Sequence, residues 1–253
     1  MLCSLGRRTV HLGNRGPFVS FTFDDFPRTA YSEGGSILEQ FGARGTFYAA
    51  YGLMNTSNEL GEQFRAADLH ALVEKGHELA NHTYNHISSR SVSCGVFRED
   101  VDRGRKAIEE VGGAYFGNFA YPFGHVTLRA KRMLEMSVTS ARSIFPGLNG
   151  PEIDLNLLRA NAMYGDLDES SHVKDLILRN AKERSWLIFY THDVRPSPSA
   201  YGCTPALFEF AVSAAGHSGS RIMTVQQALA ETQIGMSISI LEGSRAAILA
   251  NAG

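Results

Sequence analysis

Residues 18–26 read FVSFTFDDF. Phe18–Phe23 form an uncharged, aromatic and β-branched run with the length and character of a buried strand. Asp24 and Asp25 then set two carboxylates side by side where that strand should stop. Adjacent like charges repel, and burying either costs several kcal/mol unless it is paired or bound to a metal. A solvated turn tolerates such a pair, and so does a site built around a cation.

Similar β-rich runs recur along the chain at 45–52 (GTFYAAYG), 77–81 (HELAN), 117–122 (GNFAYP), 136–141 (MSVTSA), 186–192 (WLIFYTH) and 221–224 (RIMT). Between them lie stretches with helical spacing of apolar residues: 34–45, 64–78, 97–113, 126–136, 170–185, 204–216 and 224–232. Strands alternating with helices of this length predict βαβ units and a parallel sheet. About seven units predict an α/β fold with a closed or nearly closed barrel. An open doubly wound sheet is the alternative, but no Gly-rich phosphate loop follows any strand. The expectation is a single domain over residues 1–253, with residues 236–253 as a C-terminal extension. That tail reads as a late strand and helix or as a subunit contact, which leaves a homo-oligomer open.

Composition narrows the function. The chain of 253 residues is 43% hydrophobic and 20% charged, with a formal charge of −2. Acids and bases are interleaved, so there is no basic stripe for nucleic acid. No apolar run approaches the roughly 20 residues needed to span a membrane. The N-terminus has no continuous apolar core of a secretory signal, which predicts a cytoplasmic protein. Cys3, Cys94 and Cys203 lie far apart and read as free thiols.

In parallel α/β folds chemistry sits beyond the C-terminal ends of the strands. Titratable residues gather at those ends: Asp24-Asp25, His82 and His86 in NHTYNH (81–86), His125 after PFG, and His192-Asp193. Two histidines four residues apart share one face of a helical turn, so both can reach a single ion. With a carboxylate from a neighbouring strand they make a His, His, Asp set, the pattern of a catalytic zinc site that keeps one position open.

FTFDDF, NHTYNH, AYPFG and FYTHD follow one another in the order of the successive motifs of the polysaccharide deacetylases, carbohydrate esterase family 4, the NodB homology domain. The chain resembles that family over roughly residues 17–195. The resemblance implies a distorted (β/α) barrel and a metal-dependent hydrolase that removes N-acetyl groups from an acetylated carbohydrate. Position by position, it implies Asp24 as general base, Asp25, His82 and His86 as metal ligands, His192 as general acid and the Phe123 backbone N–H as oxyanion donor. The chemistry is coherent: a divalent metal polarises an amide carbonyl and acidifies water, a carboxylate takes the proton, and a histidine returns one to the leaving nitrogen. Zinc is the first expectation, and Co2+, Ni2+ or Fe2+ suit the same ligands. A metal also makes the Asp-Asp pair tolerable.

Three departures stand out. The first motif usually ends in glycine, where this chain has Phe26, a bulky residue expected to reshape the loop and narrow the site. The third usually begins with an arginine that holds the base, where this chain has Ala120. Arg142 and Arg159 are the candidate replacements, Arg142 preferred because it follows a strand. The aspartate-aromatic pair that supports the acid histidine is not found; Asp193 is either a turn residue or an orienting group for the imidazole. Tyr48, Tyr121 and His125 are candidate contacts to a sugar ring. These departures keep two alternatives open: a deformylase or O-acetyl esterase using the same site, and a degenerate module that binds metal or sugar without catalysis.

Overall fold

The computed structural model describes residues 5–111 and 117–232. In chain order the strands are β1 (Thr9–His11), β2 (Phe18–Asp25), β3 (Thr46–Ala49), β4 (Ser57–Asn58), β5 (Gly61–Glu62), β6 (Glu78–Asn81), β7 (Asn118–Ala120), β8 (Ser140–Arg142), β9 (Glu152–Asp154), β10 (Asn161–Ala162), β11 (Trp186–Thr191) and β12 (Arg221–Ile222). The α-helices are α1 (Ser36–Gln40), α2 (Ala66–Glu74), α3 (Cys94–Glu110), α4 (Leu128–Glu135), α5 (Ser170–Glu183) and α6 (Pro205–His217). Residues 225–232 are also helical.

The main sheet runs β10-β11-β2-β3-β6-β7-β8, every pairing parallel, and β12 joins β2 beside Phe18 and Val19. β2 is central: it pairs with β11 from Phe18 to Phe23 and with β3 from Thr22 to Asp25. The two ends of this path do not stay apart. Ala141 N–H donates to the Leu155 carbonyl (2.7 Å), and Ser143 N–H to that of Leu158 (2.9 Å). A few residues later the same segment becomes β10 and pairs with β11. Residues 155–162 thus bridge the β8 and β11 edges and curl the sheet into a distorted (β/α) barrel. An open doubly wound sheet would leave those edges separate.

Every residue of β2 is buried, as expected for a parallel strand covered on both faces. Alternation sorts its side chains. Val19, Phe21 and Phe23 pack with Phe47, Phe189 and the α6 residues Leu207 and Phe208, the Phe23 and Phe47 rings stacking at 4.5 Å. Phe18 joins Trp186, Ile188 and Tyr190 on the other face, where the Trp186 indole N–H donates to Ser20 Oγ (2.9 Å). α3 is capped by Ser93, whose side chain accepts from Val96 N–H. It packs closely on the end of β6 because Gly104 carries no Cβ; one would lie 2.5 Å from Asn81 Oδ1.

Two local expectations change. The strand expected at 136–141 begins only at Ser140, because α4 runs to Glu135 and Met136 is left exposed. The HxxxH segment is a loop, not a helical turn, with Thr83 and His86 at positive φ. The short pairs β1-β9 and β4-β5 carry no readable pattern in so few residues. Residues 236–253 and Cys3 lie outside the described residues; Cys94 and Cys203 are free.

Candidate active site

The site begins with a kink at the end of β2. Phe26 N–H donates to the Asp24 carbonyl (2.7 Å), closing a three-residue γ-turn with Asp25 at φ 62°. In a straight strand neighbouring side chains point to opposite faces. The turn cancels that alternation, and both carboxylates line one cavity of about 470 Å³. Phe26 follows at φ 70°, a conformation natural to glycine. Its side chain does not narrow the site: it is fully buried beneath the loop, stacked on Phe64 (5.0 Å) and tilted against Phe47 (5.1 Å).

Asp25 Oδ1 lies 3.0 Å from His86 Nε2 and 3.4 Å from His82 Nε2. The ligand atoms of the three residues are all within 4.8 Å of one another. The loop carrying the histidines is held by Asp100 of α3, whose carboxylate accepts from Asn85 N–H (2.8 Å) and Asn85 Nδ2 (2.6 Å). Burial pushes His82 down to about 3 and His86 down to about 4, so both rings are neutral. His82 Nδ1–H donates to the Ala120 carbonyl (2.8 Å), which turns the Nε2 lone pair toward Asp25. Asp25 Oδ1 is buried with no hydrogen-bond partner. Burial, reinforced by the charges of Asp24 and Glu59 and opposed by His192, raises the Asp25 carboxyl to about 6. Lone pairs of three neutral or acidic donors converging on one point are a poor hydrogen-bonding arrangement and a good cation site. These residues fit a divalent metal.

Asp24 sits beside them and pairs with Arg142 Nη2. Burial opposes its ionisation, but the Arg142 guanidinium beside it prevails and holds it below the usual carboxylate range. Arg142 is itself buried. Its guanidinium centre lies 4.9 Å from the Tyr48 ring centroid and 5.1 Å from that of Tyr190, and Nη1 donates to the Ser143 carbonyl (3.1 Å). Ala120 and Arg142 are register partners across β7 and β8. The arginine therefore reaches Asp24 from one strand over, at the same level of the barrel as Ala120. Arg159 points elsewhere, onto the Pro146 carbonyl (2.9 Å).

His192 follows β11 on the opposite wall. Its Nδ1–H donates to the Tyr201 carbonyl (3.1 Å), leaving Nε2 for the cavity. Asp193 does not orient the imidazole. It is fully buried, accepts from Ser199 N–H (2.9 Å) and pairs with Arg195 Nε (2.7 Å), so it organises the loop that presents the Tyr201 carbonyl. Phe123, at φ 58° in the PFG turn, packs its ring at a tilt against His86 (4.4 Å) and lines the cavity.

Tyr48 and Tyr121, expected to meet a sugar, are core residues: Tyr48 is 0% exposed and Tyr121 2%. Neither lines the cavity, because the parallel sheet is covered on both faces at their positions. His125 is half-buried against Ser88 Oγ (2.8 Å), behind Phe123 and off the cavity wall. The aromatic lining consists instead of Tyr164, Tyr190 and Tyr201, and Glu59 and Leu60 of the β4-β5 hairpin also line the cavity. Tyr190 was readable, since it lies two residues before His192 and so shares its face. Tyr164, Tyr201 and Glu59 sit on irregular segments that carry no periodic signal. No helix among the described residues is long and apolar enough to cross a membrane.

Comparisons with known proteins agree with this geometry. The family model described as polysaccharide deacetylase matches residues 12–138, half of the chain. A peptidoglycan-N-acetylglucosamine deacetylase of Bacillus cereus is 27% identical over 106 residues, covering 42% of this chain and 46% of that protein. The chain is thus matched to less than half the length of this curated relative. Among solved structures, a chitin deacetylase from Colletotrichum lindemuthianum superposes with a TM-score of 0.57 at 16% identity, covering 84% of this chain and 87% of its own. A family 4 acetyl xylan esterase from Clostridium thermocellum gives 0.56 at 17% identity, covering 85% and 91%. At such identities these two likenesses establish the fold, while the family match extends through the DD and HxxxH residues: the chain belongs to the polysaccharide deacetylase family.

Proposed function

We propose that this protein is a metal-dependent hydrolase that removes N-acetyl groups from an acetylated sugar, oligosaccharide or polysaccharide. The observation that carries the reading is the convergence of Asp25 Oδ1, His82 Nε2 and His86 Nε2, with Oδ1 buried and unbonded, beside an Asp24 held ionised by Arg142. Asp25, His82 and His86 would hold the ion. A divalent cation in that position supplies Lewis acidity to the acetamide carbonyl and to water.

The remaining work falls to this chain's own groups. Asp24 accepts the proton of the attacking water; its low affinity for protons keeps it in the basic form. The Phe123 backbone N–H, at the cavity wall, donates to the oxygen that becomes negative as water adds to the carbonyl. His192 Nε2 gives a proton to the nitrogen as the C–N bond breaks, which releases acetate and a free amine. Arg142 keeps Asp24 ionised and aimed, in place of the arginine missing at Ala120. Tyr164 and Tyr201 offer ring faces and hydroxyls to the sugar.

Zinc is the expected metal, with cobalt, nickel and iron compatible with the ligand set; the acetyl xylan esterase neighbour is described in complex with a cobalt ion. The name of the Bacillus cereus relative and the chitin deacetylase neighbour both favour an N-acetylhexosamine substrate. The test is metal content by mass spectrometry on the full chain and on an Asp25→Ala/His86→Ala double variant, together with acetate and formate release from N- and O-acetylated and formylated glycans. About one divalent ion per chain, lost in the variant, with acetate released from N-acetylated glycans, is expected. Absence of metal after incubation with zinc, or no acyl release from any glycan, overturns the reading.

A further inference from the structure

The cavity has an unbalanced charge. Its described lining contains Asp24, Asp25 and Glu59 and no lysine or arginine. Arg142 answers Asp24 from within the barrel, and Asp25 faces the two histidines. Glu59 is left over. It is exposed on the β4-β5 hairpin, and its carboxylate takes part in no hydrogen bond or ion pair among the described residues.

The backbone that carries this carboxylate is held in place. Arg195 Nη2 donates to the Glu59 backbone carbonyl (3.2 Å), and Arg195 is anchored by Asp193 at 2.7 Å. Leu60 beside it is buried, and its N–H donates to Asn58 Oδ1 (2.9 Å). The clamp joins the hairpin after β3 to the loop after β11, so it straddles the end of β2 where Asp24 and Asp25 emerge. Because Arg195 is already neutralised by a buried aspartate, it does not cancel the charge of Glu59.

We propose that Glu59 is a specificity residue that makes the cavity select glycans carrying a free ammonium group on a sugar next to the reacting one, and disfavour anionic glycans. This deepens the deacetylase reading and rests on it. A carboxylate at the mouth of the cavity attracts a cation and repels uronate, phosphate or lactyl groups. The consequence is chemical: each hydrolysis converts a neutral acetamide into an amine, so one turnover creates the feature that recruits the next segment of the same chain.

Binding of a glucosamine tetramer and of cellotetraose to the full chain, at about pH 6 where the amines are charged and at low salt, tests it without needing turnover. The wild type is expected to prefer the amine-bearing glycan by about three- to fivefold, an advantage that fades at high salt. Glu59→Gln should bring the ratio to about one and Glu59→Lys should invert it. A ratio that is the same in all three proteins overturns the inference. Acetate release from an N-acetylglucosamine tetramer is read separately: release with no Glu59-dependent preference sinks only this inference. A Glu59-dependent preference without release supports the selectivity and sinks the enzymatic reading.

Discussion

The barrel holds buried carboxylates at both ends, and they are treated in opposite ways. At the floor, Glu78 opens β6 and every oxygen is satisfied. Oε1 accepts from Asn118 Nδ2 (2.5 Å), and Oε2 from Thr46 Oγ1 (2.9 Å) and Gln226 N–H (2.9 Å). Asn118 in turn accepts from Ser140 Oγ (2.7 Å). Thr46, Glu78, Asn118 and Ser140 are each the first residue of a strand, so the network seals the N-terminal end of the sheet. At the mouth, Asp25 is buried too, yet Oδ1 has no hydrogen bond and meets histidine lone pairs. A buried polar group that is fully bonded specifies structure, while one left unsatisfied among metal-ligating side chains stores an affinity.

The contrast is sharpest in the chemistry. Asp24→Asn should lower the rate of acetate release by about 10²–10⁴-fold with metal content unchanged, while Glu78→Gln should leave the rate per folded molecule within about twofold. Comparable rate losses at both ends would break the comparison. Next in size, Arg142→Ala should reduce activity by about 10–10²-fold. The slot between the Tyr48 and Tyr190 rings should accept guanidinium ion from solution and restore part of that rate; Arg142→Lys should show no such rescue, because an ammonium cannot fill the flat site. No rescue in the alanine variant would reduce Arg142 to a packing residue.

Stability should divide the other way. Glu78→Ala should cost about 1–3 kcal/mol in urea unfolding, since Asn118 and Thr46 lose their partner. In metal-free protein Asp25→Asn should raise the midpoint, because it removes an unpaired buried charge. Midpoints that move in the same direction would argue against the distinction.

The smallest effect is in pH. His77, His82 and His86 are buried neutral, pushed down by burial to about 4, 3 and 4. Unfolded histidine titrates near 6.5, so between about pH 6.5 and 4 the unfolded chain binds more protons and stability falls as pH falls. Asp25, raised to about 6, acts in the opposite sense over pH 6 to 4. Three groups against one predict a net loss for metal-free protein on acidification from pH 7 to 5. A thermal midpoint that is flat over that range, or a slope unchanged by His77→Gln, would refute this account.

Much of the site was legible because its residues sit at strand ends. Asp24, Asp25, His82, His86 and His192 all follow apolar runs, and the structure brings all five to one cavity. The two tyrosines were misjudged for a reason intrinsic to parallel sheets: both faces are covered, so an aromatic in a strand gives no sign of which cavity it meets. Phe26 was read as an intruder because its backbone conformation, which decides where the side chain goes, is not written in its identity. The loss of an orienting carboxylate for His192 was visible; its replacement by the Tyr201 carbonyl was not, since a backbone oxygen carries no residue signature.

The alternation of strands and helices, the titratable residues at the strand ends and the absence of an arginine at Ala120 are all written in the chain. These follow from periodicity and local chemistry, which act over a few residues. Folding adds that β8 lays Arg142 against Asp24 from the register position beside Ala120, that a γ-turn points Asp24 and Asp25 into the same cavity, and that a clamped hairpin brings Glu59 to its lining. Each depends on contacts between residues far apart in the chain, and such contacts exist only once the sheet has curled and its edges have met.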